Sequence, residues 1–273
     1  MDVVIQNQTI HYEIYGEGKP LFIFHAMGTD HRSMKAWIEP VFQQEKSDWK
    51  RIYVDIPGHG GSNQVVDIKN NDEMLDILLE LIDVLVHDQP FSLVGMSFGG
   101  YLAQGIMHKR INQVEGICLL APALHTGARS TSSKKMMETN EEVLNKLDQE
   151  IVTAIHTLLV YQTKENIQLF LEEVQPGRLL ANRKFLTSEW KTKGYFFSFE
   201  PFAHMSEIDK PALLVLGKND SIVGFEDHMK LAGKFQHVSY AVLDRAGHLL
   251  QIEARNRLIH LFMNWLERIT KTQ

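Results

Sequence analysis

Ser97 stands in Gly95-Met96-Ser97-Phe98-Gly99-Gly100, directly after the apolar run 91–94 and ahead of a helical stretch expected over 100–108. Strand, tight turn and helix in that order are the setting of a nucleophile elbow, the Gly-x-Ser-x-Gly pattern. The turn strains the serine backbone, and small residues two before and two after it let strand and helix approach. Gly95 and Gly99 fill those places. Serine is a weak nucleophile at neutral pH, so it needs a base and an acid to orient the base. Both are found late in the chain. The run 213–216 leads into Gly217-Lys218-Asn219-Asp220, and 240–243 leads into Asp244-Arg245-Ala246-Gly247-His248. Ser97 is the expected nucleophile, Asp220 the orienting acid and His248 the base. Asp244 and Asp209 are the competing carboxylates; the first reads as a turn residue and the second as the end of an insertion. Of 13 histidines, only His248 follows a glycine after a late strand. No His-Glu-x-x-His or Cys/His cluster is present, so neither a metal nor a cofactor is expected.

Acyl transfer also needs donors for the oxyanion, each worth about 3 kcal/mol in the transition state. The amide of Phe98, directly after the nucleophile, is one. The other is expected in His25-Ala26-Met27-Gly28, from Met27 with Ala26 as the alternative, while His25 reads as a structural hydrogen-bonding residue of that loop. Asp55-Ile56-Pro57-Gly58-His59-Gly60-Gly61-Ser62 reads as a rigid turn.

These residues sit at the ends of short apolar runs at 21–24, 51–54, 91–94, 114–120, 212–216 and 239–243, separated by helical stretches at 74–86, 100–108, 226–235 and 252–269. Strands alternating with helices imply a parallel sheet with right-handed crossovers. A hairpin is expected over 2–15, turning at Asn7-Gln8. About 85 residues between Ala123 and Lys210 carry no convincing strand and read as a helical insertion. Within it, Thr139 to Glu142 fits a capping box, and a second helix starts at Thr163 and stops before Pro176-Gly177. The polar stretch Arg129 to Lys135 reads as a surface loop.

The chain has 273 residues, 44% hydrophobic and 23% charged, with net charge −6 and no basic run longer than Lys134-Lys135. Disorder and a polyanion partner are disfavoured, so no nucleic acid is expected. The single Cys118 cannot form an intrachain disulfide, and no signal peptide or membrane span is evident. A cytoplasmic protein is the expectation, with no membrane partner; the sequence leaves the oligomeric state open.

In His25-Ala26-x-Gly28, Asp55-x-Pro57-Gly58-His59-Gly60-x-Ser62, Gly95-x-Ser97-x-Gly99-Gly100, Gly217-x-x-Asp220 and Gly247-His248, the chain resembles the α/β-hydrolase superfamily, in the group with a helical cap after the sixth strand. The resemblance implies an α/β fold with a mostly parallel eight-stranded sheet, its second strand antiparallel, and a Ser-His-Asp triad under the cap. Residues 1–124 and 208–273 would form the core and 125–207 the cap. Ala26 departs from the usual glycine, Tyr101 from the arginine of menaquinone-pathway members, and Met96 from the asparagine common in carbon–carbon bond hydrolases. A serine at the elbow argues against dehalogenases and epoxide hydrolases.

The expected function is hydrolysis of a small to medium ester, lactone or thioester through an acyl-enzyme. Alternatives are a carbon–carbon bond hydrolase, a perhydrolase, or a ligand-binding or signalling protein on the same scaffold. Trp190, Phe196 and Phe199 are candidate pocket residues; Arg129, Arg178 and Arg183 in the cap could meet a carboxylate.

Overall fold

In the computed structural model the described residues are 1–43, 48–131, 136–205 and 207–271. Eight strands build one sheet: β1 (Asp2–Ile5), β2 (Gln8–Tyr15), β3 (Lys19–Phe24), β4 (Trp49–Val54), β5 (Phe91–Met96), β6 (Val114–Leu120), β7 (Ala212–Gly217) and β8 (Val238–Leu243). Their spatial order is β1-β2-β4-β3-β5-β6-β7-β8. β2 runs antiparallel to β1 and β4, and every other pair is parallel. The hairpin turns one residue earlier than expected. Gln6 and Asn7 both have positive φ, 46° and 64°, the two-residue geometry whose twist matches the flanking strands.

Successive strand residues face opposite sides, and β3 shows the result. Phe22 and Phe24 join one hydrophobic cluster with Leu78 and Leu102, while Leu21 and Ile23 join another with Trp37 and Trp265. The first cluster holds helices α2 (Asn71–Val86) and α3 (Phe98–Lys109) against the sheet, and the second holds α1 (Arg32–Phe42) and α4 (Arg255–Lys271). With both faces covered, all six residues of β5 are buried, which is why it reads as a continuous apolar run.

α2 begins three residues before the expected Met74, because its polar first turn lies outside the apolar period. Asn70 caps it by accepting the Glu73 amide at 2.9 Å. α1 was not foreseen; Met34, Trp37 and Ile38 bury one stripe of it. The helix expected over 252–269 is broken at Ala254 into Leu250–Glu253 and α4. The one expected over 226–235 is only two short turns, Glu226–His228 and Met229–Ala232.

The insertion between β6 and β7 is helical. Asn140, rather than Thr139, caps Glu141–Leu144, accepting the Val143 amide at 3.1 Å, because Thr139 lies in a two-residue strand paired with Tyr161–Gln162. Gln149–Leu158 follows. Thr163 caps the next helix as expected, but that helix continues through Pro176-Gly177 as Lys164–Leu169, a π-helical turn Phe170–Val174 and Gln175–Leu180. In the π turn the Gln175 amide bonds to the Phe170 carbonyl, five residues back. The wider turn carries the chain past a proline that has no amide to give. Residues 132–135 of the expected surface loop, including Lys134 and Lys135, lie outside the described residues. No described helix is long and apolar enough to cross a membrane.

Candidate active site

β5 ends at Met96, and Ser97 turns the chain into α3 with φ 52° and ψ −112°. A non-glycine residue there is strained by about 1–3 kcal/mol, so its surroundings must hold it. The Ser97 amide donates to the Leu120 carbonyl at 2.9 Å, and its own carbonyl accepts the amides of Tyr101 and Ala123, each at 3.0 Å. A Cβ on Gly95 would stand 2.5 Å from the Gly99 carbonyl oxygen, and one on Gly99 would stand 2.5 Å from the carbonyl oxygens of Phe24 and His25. Both glycines are therefore required by close backbone approach.

The sheet brings the three expected residues together. His248 Nε2 lies 3.0 Å from Ser97 Oγ, and His248 Nδ1 lies 2.8 Å from Asp220 Oδ2. Asp220 Oδ1 accepts the amides of Ile222 at 2.8 Å and Val223 at 3.1 Å. Burial alone would raise the Asp220 pKa, but the His248 ring and these two amides hold it below the usual carboxylate value. An ionised Asp220 fixes the proton on Nδ1 and leaves Nε2 to accept from the serine hydroxyl. Asp244 is instead exposed and paired with Arg257, and Asp209 is exposed beside His237 at 3.1 Å.

Ala26, Met27, Ser97, Phe98 and His248 line one cavity of about 200 Å³. Among the described residues no protein group accepts the amides of Met27 or Phe98. His25 anchors this loop and is fully buried. It accepts the Ile56 amide on Nε2 at 3.0 Å and so donates from Nδ1 to the Ala26 carbonyl at 2.8 Å. Burial holds its pKa below the ordinary value, consistent with a neutral ring. The 55–62 turn is rigid for a visible reason. The Asp55 carboxylate takes the His31 amide and ring, each at 2.8 Å, and the Gly61 amide at 2.8 Å.

The pocket candidates need correction. Trp190 is buried among Phe98, Phe185 and Tyr195, with its indole amine bonded to Asn71. Phe199 stacks on His108 and Phe197 beside α3. Neither lines the Ser97 cavity, because packing of the cap onto α2 and α3 uses their faces. Phe196 lines only an adjoining surface groove. Tyr195, Leu158, Ile222, Val223 and Leu249 form the cavity wall instead.

Three cations also line it: Arg129, Arg178 and Lys191. No carboxylate lines the cavity, and among the described residues none pairs with any of the three. Arg178 bonds to the neutral Gln175 at 3.1 Å, and the Lys191 ammonium sits 4.5 Å above the Tyr195 ring. Desolvation lowers both pKa values, with Arg183 adding to the effect on Arg178 and the Glu150 charge opposing it, and with Arg129 adding to the effect on Lys191. Arg183 itself is exposed and paired with Glu150. Lys191 carried no motif that sequence reasoning could use. Among the described residues one cluster, His11, Glu13 and His31, brings possible metal ligands within 4.8 Å of one another. It lies outside the Ser97 cavity, and the Lys35 ammonium already sits 2.6 Å from Glu13.

Residues 20–255 match the family of serine aminopeptidases, S33. The chain belongs to this family of α/β-hydrolases. It is 23% identical to an (E)-2-((N-methylformamido)methylene)succinate hydrolase of Acinetobacter baylyi, over 96% of this chain and 95% of that one. It is 25% identical to a 2-hydroxy-6-oxononadienedioate/2-hydroxy-6-oxononatrienedioate hydrolase of Burkholderia vietnamiensis, over 95% and 91%. An α/β superfamily hydrolase of Oenococcus oeni has the same fold, with TM-score 0.88, 24% identity and 99% of each chain covered. The protein is a serine hydrolase with chemistry of the general esterase type.

Proposed function

We propose that this protein hydrolyses a small substrate bearing at least one carboxylate, by attack of Ser97 on a carbonyl carbon. The observation that carries the reading is the set of Arg129, Arg178 and Lys191 around the Ser97 cavity with no carboxylate partner. Among the described residues, two other partly buried cations are paired, Arg51 with Glu39 and Arg255 with Glu173. Arg129 and Arg178 are half-buried; a desolvated charge without a partner is costly, and an anionic ligand removes that cost. The names of both relatives describe dicarboxylates, which supports the same substrate class.

His248, oriented by Asp220, takes the Ser97 proton as Oγ attacks, and the amides of Phe98 and Met27 receive the oxyanion. An oxo-dienedioate contains no ester, so its hydrolysis must break a carbon–carbon bond beside the ketone. The departing carbon keeps the electron pair of that bond and takes the proton from His248. Water, deprotonated by His248, then releases the acyl group from Ser97 as a carboxylic acid. Carbon–carbon cleavage, an alternative the sequence offered beside an ester, lactone or thioester, is the scissile bond that the name of the dienedioate relative favours. The apolar wall of Leu158, Ile222, Val223 and Leu249 favours a second, an ester whose acyl chain lies there while a carboxylate meets the cations.

Hydrolysis of p-nitrophenyl hemisuccinate and p-nitrophenyl butyrate, together with an oxo-dienedioate in ¹⁸O water, tests the proposal. We expect the hemisuccinate to be preferred and one ¹⁸O to enter the acyl product of the dienedioate. Arg178→Ala should raise KM for the hemisuccinate about 10-fold or more while leaving the butyrate nearly unchanged. Equal treatment of both esters by wild type and variant would overturn the carboxylate reading. Ser97→Ala should abolish turnover and labelling by a fluorophosphonate.

A further inference from the structure

Five residues beyond His248, Glu253 ends the short helix Leu250–Glu253 with its carboxylate between the His248 loop and the cap. Oε2 accepts the Gly247 amide at 2.7 Å, directly before His248. Oε1 accepts the amides of Val160 at 2.7 Å and Tyr161 at 2.8 Å. Those two residues follow the cap helix Gln149–Leu158, whose last residue forms part of the Ser97 cavity wall. No cation pairs with Glu253 among the described residues. Burial pushes its carboxyl up to about 7, the three amides oppose that rise, and the nearby Asp220 charge adds to it.

We propose that Glu253 is a positioning residue that locks the His248 loop to the cap, so that the base is held at Ser97 only while the cap is seated. Three amides converge on two oxygens of one side chain, and both carboxyl oxygens can accept. A glutamine of the same shape must turn a donor toward one side and lose either Gly247 or the Val160–Tyr161 pair. Because the two sides belong to separate segments of the chain, release on one side frees the other to move. The inference rests on the reading of His248 as the base.

The full-length chain with Glu253→Gln tests it, with Glu253→Ala as the second variant. Amide exchange over 158–163 and 244–250 is measured beside kcat, KM and the rate of fluorophosphonate labelling. We expect exchange in both segments to rise together, with β5 and α3 unchanged. We expect kcat and the labelling rate to fall about 10-fold, with KM changed less than about 3-fold. Loosening of one segment alone, or of both with kcat intact, overturns the proposal. If wild type turns over none of the proposed substrates, exchange and labelling still decide the role of Glu253, while the substrate reading fails separately. If Glu253→Ala melts, the isosteric glutamine variant carries the test.

Discussion

At Gly99 a single hydrogen separates a working elbow from a collision, since a Cβ would meet two carbonyl oxygens of the β3 end at 2.5 Å. Those carbonyls belong to β3 and to the 25–28 loop proposed to receive the oxyanion, so neither can retreat without disturbing the site. Gly99→Ala should therefore destabilise the fold by about 2 kcal/mol or more and depress kcat, read from urea unfolding and steady-state kinetics. Glu253 offers a residue-scale test in pH. Its folded pKa, about 7, lies above the ordinary 4.5, so the folded state holds a proton that the unfolded chain has released. The group's favourable contribution is full below pH 4.5 and is lost as pH rises through 7. Glu253→Gln removes this dependence. Relative to wild type, the variant should gain about 3 kcal/mol at most between pH 4.5 and 8, before subtracting a constant loss for its missing hydrogen bond. A stability difference that does not change with pH would contradict the raised pKa.

At the scale of elements, the cap approaches the core at a point where little can be added. A Cβ on Gly177 would stand 2.6 Å from the Asp30 amide nitrogen, just beyond the oxyanion loop. Gly177→Ala should lift the helix Gln175–Leu180, carrying Arg178 away from the cavity. The expected result is a loss of about 1–3 kcal/mol in stability and a raised KM for carboxylate substrates, with little change for neutral esters. The opposite face of that loop depends on His25, whose ring ties Ala26 to Ile56. His25→Ala should lower kcat about 10-fold or more with KM nearly constant, because under the proposed mechanism the loss falls on the amides that receive the oxyanion rather than on binding. What the sequence made legible divides along the same line. That Ser97, Asp220 and His248 would meet was readable because each stands in a short motif after an apolar strand, and local spacing is enough to place them. The helix break at Ala254 and the π turn before Pro176 depend on tertiary packing that no local period records. The aromatic residues Trp190 and Phe199 misled for the same reason. An apolar side chain serves a pocket wall or a packing face equally well, and here packing used both. Lys191 and Glu253 were invisible because their meaning lies in partners supplied by distant segments.

For the molecule as a whole, a net charge of −6 opposes an anionic substrate, while three cations around the Ser97 cavity attract it. Distance decides which effect wins. The Debye length is about 8–10 Å at ordinary ionic strength, so charges scattered over the surface are mostly screened from a ligand at the cavity, whereas the cations beside it are not. Salt should therefore weaken binding of a carboxylate substrate by competing with the local attraction, despite the acidic whole. Raising ionic strength from 20 to about 500 mM should lower kcat/KM for p-nitrophenyl hemisuccinate several-fold and leave p-nitrophenyl butyrate nearly unchanged. In Arg178→Ala the slope for the hemisuccinate should shrink. A rate that rises with salt for the anionic ester would mean that the surface field prevails and that the three cations do not face the bound substrate.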